Sequence, residues 1–303
     1  MTATVDDAQA DLDFYRGLLG LRLVKKTVNF DNHNVYHFYY GDERGTPGTI
    51  WTTFPYKGWG VPPGRHGVGQ ITATSFSVPG GSLGFWKARL EQAGVSVQDM
   101  TAGGSTTIVM TDPSGLRIQL IETSGDERAP WTGEGIAGTS AIRGLHSVTL
   151  CLGAPGPTVA LMTGLLGFKV VHQTEQLTRL AVNGDAPGRC IELTHGTGSL
   201  PARNGLGTVH HVAMAITSSE EQVRLRRELV AMGYGVTEVL DRQYFQSIYF
   251  REPGGVLLEV ATLQPGFAVD EALPVLGREL KLPPWEEPNR ATIERALPLV
   301  TYG

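Results

Sequence analysis

Two segments of the chain repeat each other 147 residues apart, FYRGLLGLRLV at 14–24 and LMTGLLGFKVV at 161–171. A second kind of unit also occurs twice, at 69–123 and 210–262. Each copy runs from a strand-like segment through a helix-like segment into a hairpin closed by a Pro-x-Gly turn. Repeats of this length indicate supersecondary units that pack against one another. The sequence therefore predicts four βαβββ modules, at about 1–56, 69–124, 144–196 and 207–263.

The modules group into two halves, 1–124 and 144–263, joined by a polar, Gly-rich linker at 125–143. A tail at 264–303 follows, with a short helix predicted near Asn289–Ala296. The 39 glycines and 18 prolines lie between short apolar runs, which is typical of a turn-rich sheet protein with few helices. We therefore expect an α+β fold.

Composition excludes several classes of partner. The net charge is −5 and no long basic run occurs, which argues against a nucleic acid or an anionic membrane surface. No apolar stretch is long enough to span a bilayer. Cys151 and Cys190 lack a CxxC spacing and are predicted to be buried thiols in a reducing compartment. A cytoplasmic location and a small-molecule partner are expected, and a homo-oligomer is left open.

The fourth module carries the strongest chemical signal, in VHHVAMAI at 209–216 and VLLEVA at 256–261. On a strand His211 shares a face with two alanines, which leave room in front of the sheet. Glu259 lies in an apolar strand, where an unpaired carboxylate would cost several kcal/mol, so it needs a cation, a hydrogen-bonding network or a metal. One imidazole and one carboxylate are two thirds of the facial triad that binds Fe(II). Taken alone, a hydrogen-bonded structural His-His pair and a solvent-facing edge glutamate explain the same residues.

Other positions give weaker signals. Superposing the modules by pattern places Gln70 and Gln119 of the second module where the fourth has His211 and Glu259. The third module offers Ser147 and Glu192, so the sequence predicts one metal site and one vestigial site. His37 lies in an aromatic strand segment and faces either a substrate or the core, and Lys25 and Lys26 are predicted to form a solvated strand end.

The four modules, with His211 and Glu259 on the first and last strands of the fourth, resemble the vicinal-oxygen-chelate superfamily. That superfamily includes glyoxalase I, the bleomycin-resistance proteins and the extradiol ring-cleaving dioxygenases. The resemblance covers about the first 263 residues. It implies that the modules form two cup-like mixed sheets, the glyoxalase/dioxygenase fold, with a divalent metal on the inner face of a cup.

Within the superfamily the chain most resembles the hydroquinone ring-cleaving dioxygenases, whose first strand carries a His-His-Val-Thr motif that supplies one metal ligand. Thr2 matches the threonine of that motif, so the ligand position falls immediately before Met1. We therefore predict that the first strand is cut short. Either the gene start is placed too late, with Met1 standing for a valine codon that can also start translation, or the truncation is real. A real truncation would give a protein that binds metal poorly or not at all and is inactive as an enzyme.

The same resemblance implies a set of roles. His211 and Glu259 would be metal ligands, and His210, Arg242 and Tyr249 would line the substrate side as catalytic residues. The metal would be Fe(II), with Mn(II) compatible with the same ligands, and the substrates an aromatic diol and O2. A guanidinium can hold the charge that develops during ring opening, and an imidazole or phenol can move a proton. The structural alternative pairs Arg242 with Asp241 or Glu252 at the surface and packs Tyr249 in the core.

Two other functions fit the same modules. One is a glyoxalase-like, metal-dependent isomerase or lyase, although a glutathione-binding version would need a basic rim that the sequence does not clearly show. The other is a metal-free binding protein of the bleomycin-resistance type, which a missing first-strand histidine would favour.

Overall fold

The computed structural model describes residues 1–102 and 105–302, which form sixteen strands and five α-helices. In chain order the strands are β1 Thr2–Val5, β2 Arg22–Asn29, β3 Asn32–Gly41, β4 Trp51–Pro55, β5 Gln70–Pro79, β6 Val97–Ala102, β7 Ser105–Thr111, β8 Arg117–Thr123, β9 Gly144–Leu152, β10 Lys169–Gln173, β11 Leu177–Ala181, β12 Cys190–His195, β13 Thr208–Ala215, β14 Leu240–Asp241, β15 Gln246–Arg251 and β16 Leu257–Ala261. The helices are α1 Ala8–Leu12, continued by a wider π-type turn at Asp13–Leu18, α2 Leu83–Gln92, α3 Pro155–Gly164, α4 Ser219–Ala231 and α5 Arg290–Ala296. Three short 3-10 turns lie in the tail, at Phe267–Val269, Leu273–Val275 and Glu287–Asn289. None of the helices in the described ranges has the length and apolar character needed to cross a membrane. Cys151 and Cys190 are free thiols.

Each module contributes four strands to one of two eight-stranded sheets. The first and fourth modules form the first sheet, in the order β14-β15-β16-β13-β1-β4-β3-β2. The second and third form the second sheet, in the order β10-β11-β12-β9-β5-β8-β7-β6. The predicted fold class, α+β with four modules in two mixed sheets, is confirmed. The sequence halves 1–124 and 144–263 each give one module to each sheet, so neither half is a separate structural unit.

The register of the first sheet brings distant residues onto one face. β1 runs antiparallel to β13 with Thr2 opposite His211, and β13 runs parallel to β16 with Ala213 opposite Glu259. β15 then pairs with β16 so that Tyr249 lies opposite Glu259. Because directly opposed residues share a face of a sheet, these five side chains lie on the same side.

The two sheets share one buried apolar cluster, and hydrogen bonds from helical segments cross between them. Tyr15, just after α1, donates to Asp112 in the turn between β7 and β8 at 2.9 Å. Thr158 of α3 donates to Glu252 in the turn between β15 and β16. Each bond runs from a module of one sheet to a hairpin of the other, which fixes the two sheets relative to each other.

The tail runs back along the β2–β3 side of the first sheet. Lys25 is fully buried there, and its Nζ lies 2.6 Å from carboxylate oxygens of both Asp270 and Glu271. Ile293 of α5 is also fully buried. The prediction that Lys25 is solvated is therefore wrong, because the tail covers this strand and supplies two carboxylates for its charge.

A buried carboxylate lies behind the first sheet. Asp11 is 3% exposed, and its Oδ2 accepts hydrogen bonds from Tyr40 at 2.7 Å and from Thr53 at 2.6 Å. Its Oδ1 has no hydrogen-bond partner within the part of the chain that the structure describes. Burial, only partly offset by these two hydrogen bonds, raises the pKa of Asp11 to about 7. Asp11 is therefore protonated in the folded protein over much of the acidic range.

Asp11→Asn tests this account. In the native protein Asp11 holds its proton up to about pH 7, whereas in the unfolded chain it ionises near pH 4. The folded state thus binds more protons between these values, and its stability falls as the pH rises through that window. The variant does not titrate, so its free energy of unfolding should exceed that of the wild type by a few kcal/mol at pH 8 and equal it at pH 4. Chemical denaturation at both pH values measures the difference. The exposed Asp13→Asn is the control, and a variant that loses stability equally at both pH values would contradict the prediction.

Candidate functional site

The face of the first sheet that carries Glu259 borders an open cavity of about 1350 Å³, here called the cup. This volume exceeds the usual size of a small-molecule pocket. The cup is lined by His211 and Glu259, and also by His37, Phe54, Arg242 and Phe267.

The two predicted metal ligands, His211 and Glu259, here called the ligand pair, are in direct contact. His211 is 5% exposed and Glu259 is 3% exposed, and Nε2 of the imidazole lies 2.8 Å from Oε2 of the carboxylate. The other carboxylate oxygen, Oε1, accepts hydrogen bonds from Ser247 and from the Tyr249 hydroxyl, the latter at 2.8 Å. Burial alone would raise the pKa of Glu259, but the charge of His211 and the hydrogen bonds from all three neighbours lower it. The carboxylate is therefore held ionised.

The atoms around His211 Nε2 form a set that suits a cation. Besides Glu259 Oε2, the hydroxyl oxygen of Thr2 lies 2.8 Å from the same nitrogen. A neutral imidazole nitrogen makes one hydrogen bond along its axis, so it does not satisfy two oxygens at once. A divalent cation beside this nitrogen would be coordinated by His211 and Glu259, the donor types that Fe(II) and Mn(II) accept.

A facial triad needs a third ligand besides His211 and Glu259. Among residues 1–102 and 105–302 no group of three or more His, Cys, Asp or Glu side chains converges on one point. The ligand predicted immediately before Met1 lies outside the described residues and stays a prediction.

His210 contacts the ring of His211 from the other side. The two Nδ1 atoms are 2.8 Å apart, so one of them donates and the other accepts. Burial, with added repulsion from His211, lowers the pKa of His210 to about 4, so its imidazole is neutral at pH 7. A neutral His210 can accept the Nδ1 proton of His211, which leaves Nε2 as the ring nitrogen available to a cation. Such outer partners fix the tautomer of metal-binding histidines.

Arg242 and Tyr249 lie side by side at the rim of the cup. Arg242 directly follows β14, and its guanidinium carbon is 5.3 Å from the centre of the Tyr249 ring. Its Nη2 lies 3.1 Å from Oδ2 of Asp31, in the hairpin between β2 and β3. The structural alternative of an ion pair with Asp241 or Glu252 is therefore not what forms. The ion pair spans from the first module to the fourth across the mouth of the cup.

His37 is tied to the ligand pair through two threonines. Nε2 of His37 lies 2.9 Å from the Thr52 hydroxyl, which donates to the Thr2 hydroxyl at 2.8 Å. Thr2 in turn contacts His211. Burial and the charge of His211 hold the pKa of His37 well below its usual value. His37 thus faces the cup rather than the core.

Sequence reasoning did not find Ser247, Thr52 or Asp31. Ser247 lies two residues before Tyr249 on the same strand, so strand alternation could have placed it on the cup face. Thr52 joins the site through hydrogen bonds to Thr2 and His37 of its own module, and Asp31 through an ion pair with Arg242 of the fourth module. No local pattern indicates either contact.

The second sheet repeats the arrangement without its chemistry. Thr149 of β9 lies opposite Glu192 of β12, as Ala213 of β13 lies opposite Glu259 of β16. Ser147 and His211 each lie two residues before that position. Ser147 therefore occupies the position of His211. The Thr149 hydroxyl donates to Glu192 at 3.3 Å, and a serine replaces the imidazole.

The structure corrects the superposition of the second module. Ser75 pairs with Gln119 across β5 and β8 and donates to it at 2.9 Å, so the position of the fourth module's histidine is Ala73. Gln70 lies three residues earlier on β5 and donates to Asn204 at 3.2 Å. The prediction that Gln70 and Gln119 together replace the ligand pair is wrong, because the alternation of polar and apolar residues does not fix which residue opposes the last strand.

These features agree with the family to which the sequence is related. Residues 1–120 and 144–260 match the family model of the Glyoxalase/Bleomycin resistance protein/Dioxygenase superfamily. The chain belongs to this superfamily. The matched residues include β1, β13, β15 and all but the last residue of β16, which are the strands that carry contacts of His211 and Glu259. The match ends before the tail.

Relatives extend over almost the whole chain. "Putative ring-cleaving dioxygenase MhqE" of Bacillus subtilis is 43% identical over 298 residues, covering 98% of this chain and 97% of that protein. "Chlorohydroquinone/hydroquinone 1,2-dioxygenase" of Sphingobium indicum is 33% identical over 293 residues, covering 94% and 90%. A crystal structure of a "putative dioxygenase" from Bacillus subtilis superposes with a TM-score of 0.93 at 40% identity, covering 99% of this chain and 96% of that one.

Tyr249→Phe tests the support of the Glu259 carboxylate. Loss of a hydrogen bond to a buried charged group should lower the free energy of unfolding of the metal-free protein by about 1.5–3 kcal/mol. Urea denaturation of the purified protein measures this loss. Tyr234→Phe is the matched control, because the Tyr234 hydroxyl makes no hydrogen bond to another described residue. Equal stability of the Tyr249→Phe variant and the wild type would show that this hydroxyl does not support the carboxylate.

Proposed function

We propose that the protein is an Fe(II)-dependent, extradiol-type ring-cleaving dioxygenase that acts on hydroquinone-type aromatic diols. The observation that carries this proposal is the contact of the buried Glu259 carboxylate with His211 Nε2, a nitrogen with two oxygens at 2.8 Å. The names of relatives at 43% and 33% identity support the reaction class and the hydroquinone substrate.

The ligand pair would hold the metal through His211 Nε2 and the carboxylate of Glu259. When bound there, Fe(II) would supply the means to bring a diol and O2 together and transfer electrons between them. His210 keeps the Nε2 lone pair of His211 free by accepting the proton of Nδ1. Ser247 and Tyr249 hold the carboxylate in place from the opposite side.

Three side chains around the pair would act on the substrate. The guanidinium of Arg242 carries a permanent positive charge at the rim, where it can hold a phenolate oxygen in place. Burial and the charge of Glu259 raise the pKa of Tyr249, so its phenol keeps the proton that it donates to Glu259, and its oxygen can accept a hydrogen bond from a substrate hydroxyl. His210 is neutral at pH 7, and with Nδ1 accepting from His211 its Nε2–H can donate to a substrate oxygen.

Oxygen uptake tests the proposal directly. The protein is loaded with Fe(II) without air, methylhydroquinone is added, and oxygen consumption is followed after air is admitted. We expect one O2 consumed for each diol that disappears, and His211→Ala should lower the rate by at least about 100-fold, since even outer partners of ligands contribute 10–100-fold. The exposed His195→Ala is the matched control and should keep the wild-type rate. Binding of the diol without oxygen uptake, by this chain and also by a chain with a histidine placed directly before Met1, would favour a binding protein and overturn the dioxygenase proposal.

A separate experiment tests the predicted third ligand. A chain with one histidine placed directly before Met1 is compared with a chain that carries alanine there. If the position belongs to the ligand set, the histidine chain should bind Fe(II) at least about tenfold more tightly, a change of the size that ligand-shell substitutions produce. Competition with a chelator under argon measures the affinity. Equal affinities of the two chains would show that this position is no ligand.

A further inference from the structure

One wall of the cup comes from the tail, beyond residue 260 where the match to the family model ends. Phe267 is 9% exposed and borders the cup. Its ring centre lies 5.2 Å from that of Tyr39, 5.3 Å from that of Tyr244 and 6.4 Å from that of Phe245. These four rings, here called the tail wall, form a continuous aromatic surface.

The backbone of the loop between β3 and β4 packs closely against the ring of Phe267. At Gly45 a Cβ atom would stand 2.7 Å from a carbon of the ring, closer than van der Waals contact allows. Gly45 also has φ of +71°, a conformation that other residues rarely adopt. This close packing restricts the movement of the Phe267 ring.

Charge anchors the segment that carries Phe267. The buried Lys25 contacts Asp270 and Glu271, which follow Phe267 within four residues. Tyr244 donates to Asp270 at 3.0 Å, and the Lys25 ammonium lies 5.0 Å from the centre of the Tyr244 ring. Breaking such a group would leave an unpaired buried charge, so the tail segment is held firmly in place.

The tail wall and the ligand pair face the same space. Tyr39 pairs with Thr52 across β3 and β4, and its ring centre is 4.0 Å from that of His37. Thr52 bonds to Thr2, which contacts His211. A ring bound at the ligand pair would therefore lie in the same cavity that the tail wall borders.

We propose that Phe267 sets the size of the ring substituent that the cup accepts, so that the tail, and not the four modules alone, determines substrate specificity. This inference rests on the proposed function. The substrate class that it implies is hydroquinones with a small apolar substituent, which would pack on the tail wall. Phe267→Ala would enlarge the cup and Phe267→Trp would reduce it.

Two probes, methylhydroquinone and tert-butylhydroquinone, test the proposal with the full-length, Fe(II)-loaded protein. Binding is measured by calorimetry without air, and kcat/KM by oxygen uptake. Phe267→Ala should shift the preference for the tert-butyl over the methyl compound at least tenfold upward in both measurements, and Phe267→Trp should shift it downward. Phe85→Ala, an exposed phenylalanine of α2 on the second sheet, should leave the ratio unchanged.

The outcomes separate this inference from the proposed function. Oxygen uptake by the wild type, with the same preference in both Phe267 variants, overturns the inference alone. If the Phe267 variants shift the binding preference but no oxygen is taken up, the role of the tail wall is supported and the proposed dioxygenase activity is overturned. If the wild type binds neither diol, both fail. Should Phe267→Ala not fold, Phe267→Leu and Phe267→Trp keep the site apolar and decide the question by the same ratio.

Discussion

Four residues, Thr2–Val5, hold the first sheet together. As β1 they pair with β4 of their own module on one side and with β13 on the other, so Thr2 contacts a residue 209 positions later in the chain. All four side chains are buried. Without this strand the sheet would divide between Thr52 and His211, and the cup would lose the surface that joins its two halves.

The pairing of β1 with β13 is expected to slow folding of the first sheet. Closing a loop of some 200 residues costs conformational entropy before any contact in the first sheet compensates for it. Such non-local pairings are typical of slow folding. The second sheet needs only the neighbouring modules two and three, so its strands can pair over a shorter stretch of chain. We therefore expect the second sheet to form before the first, with the contact between Thr2 and His211 made last.

The carboxylate of Glu259 shows how the site tolerates a buried charge. Two of its hydrogen-bond donors, Ser247 and Tyr249, belong to β15, the neighbouring strand of its own hairpin. Two of the three hydrogen bonds to the carboxylate are thus local and form with the hairpin. His211 comes from β13 on the other side. An ionised group in such a place persists only because every neighbour on the cup face stabilises it, and this polar network makes the site specific for one arrangement.

Much of this site follows from strand alternation. Strand alternation placed His211 on one face with Ala213 and Ala215, the repeat identified the strands, and the family resemblance assigned Glu259 as the partner of His211. Arg242 and Asp31 could not be joined in this way, because an ion pair between hairpins of different modules depends on how those modules pack. Lys25 was misassigned for a related reason: a lysine is solvated unless a distant segment covers it, and Asp270 and Glu271 lie some 245 residues away.

The second sheet explains why the repeated backbone carries one candidate centre and not two. Glu192 stands where Glu259 stands, but the residue opposite it on the neighbouring strand is Arg179, where the first sheet has Tyr249. A tyrosine donates a hydrogen bond to an ionised carboxylate and leaves its charge available to a cation, whereas a guanidinium already supplies a positive charge and repels another. Placing a histidine at Ser147 would therefore not recreate the pair. The fold provides equivalent positions in both sheets, and whether a carboxylate there can bind a cation depends on the side chain opposite it on the neighbouring strand.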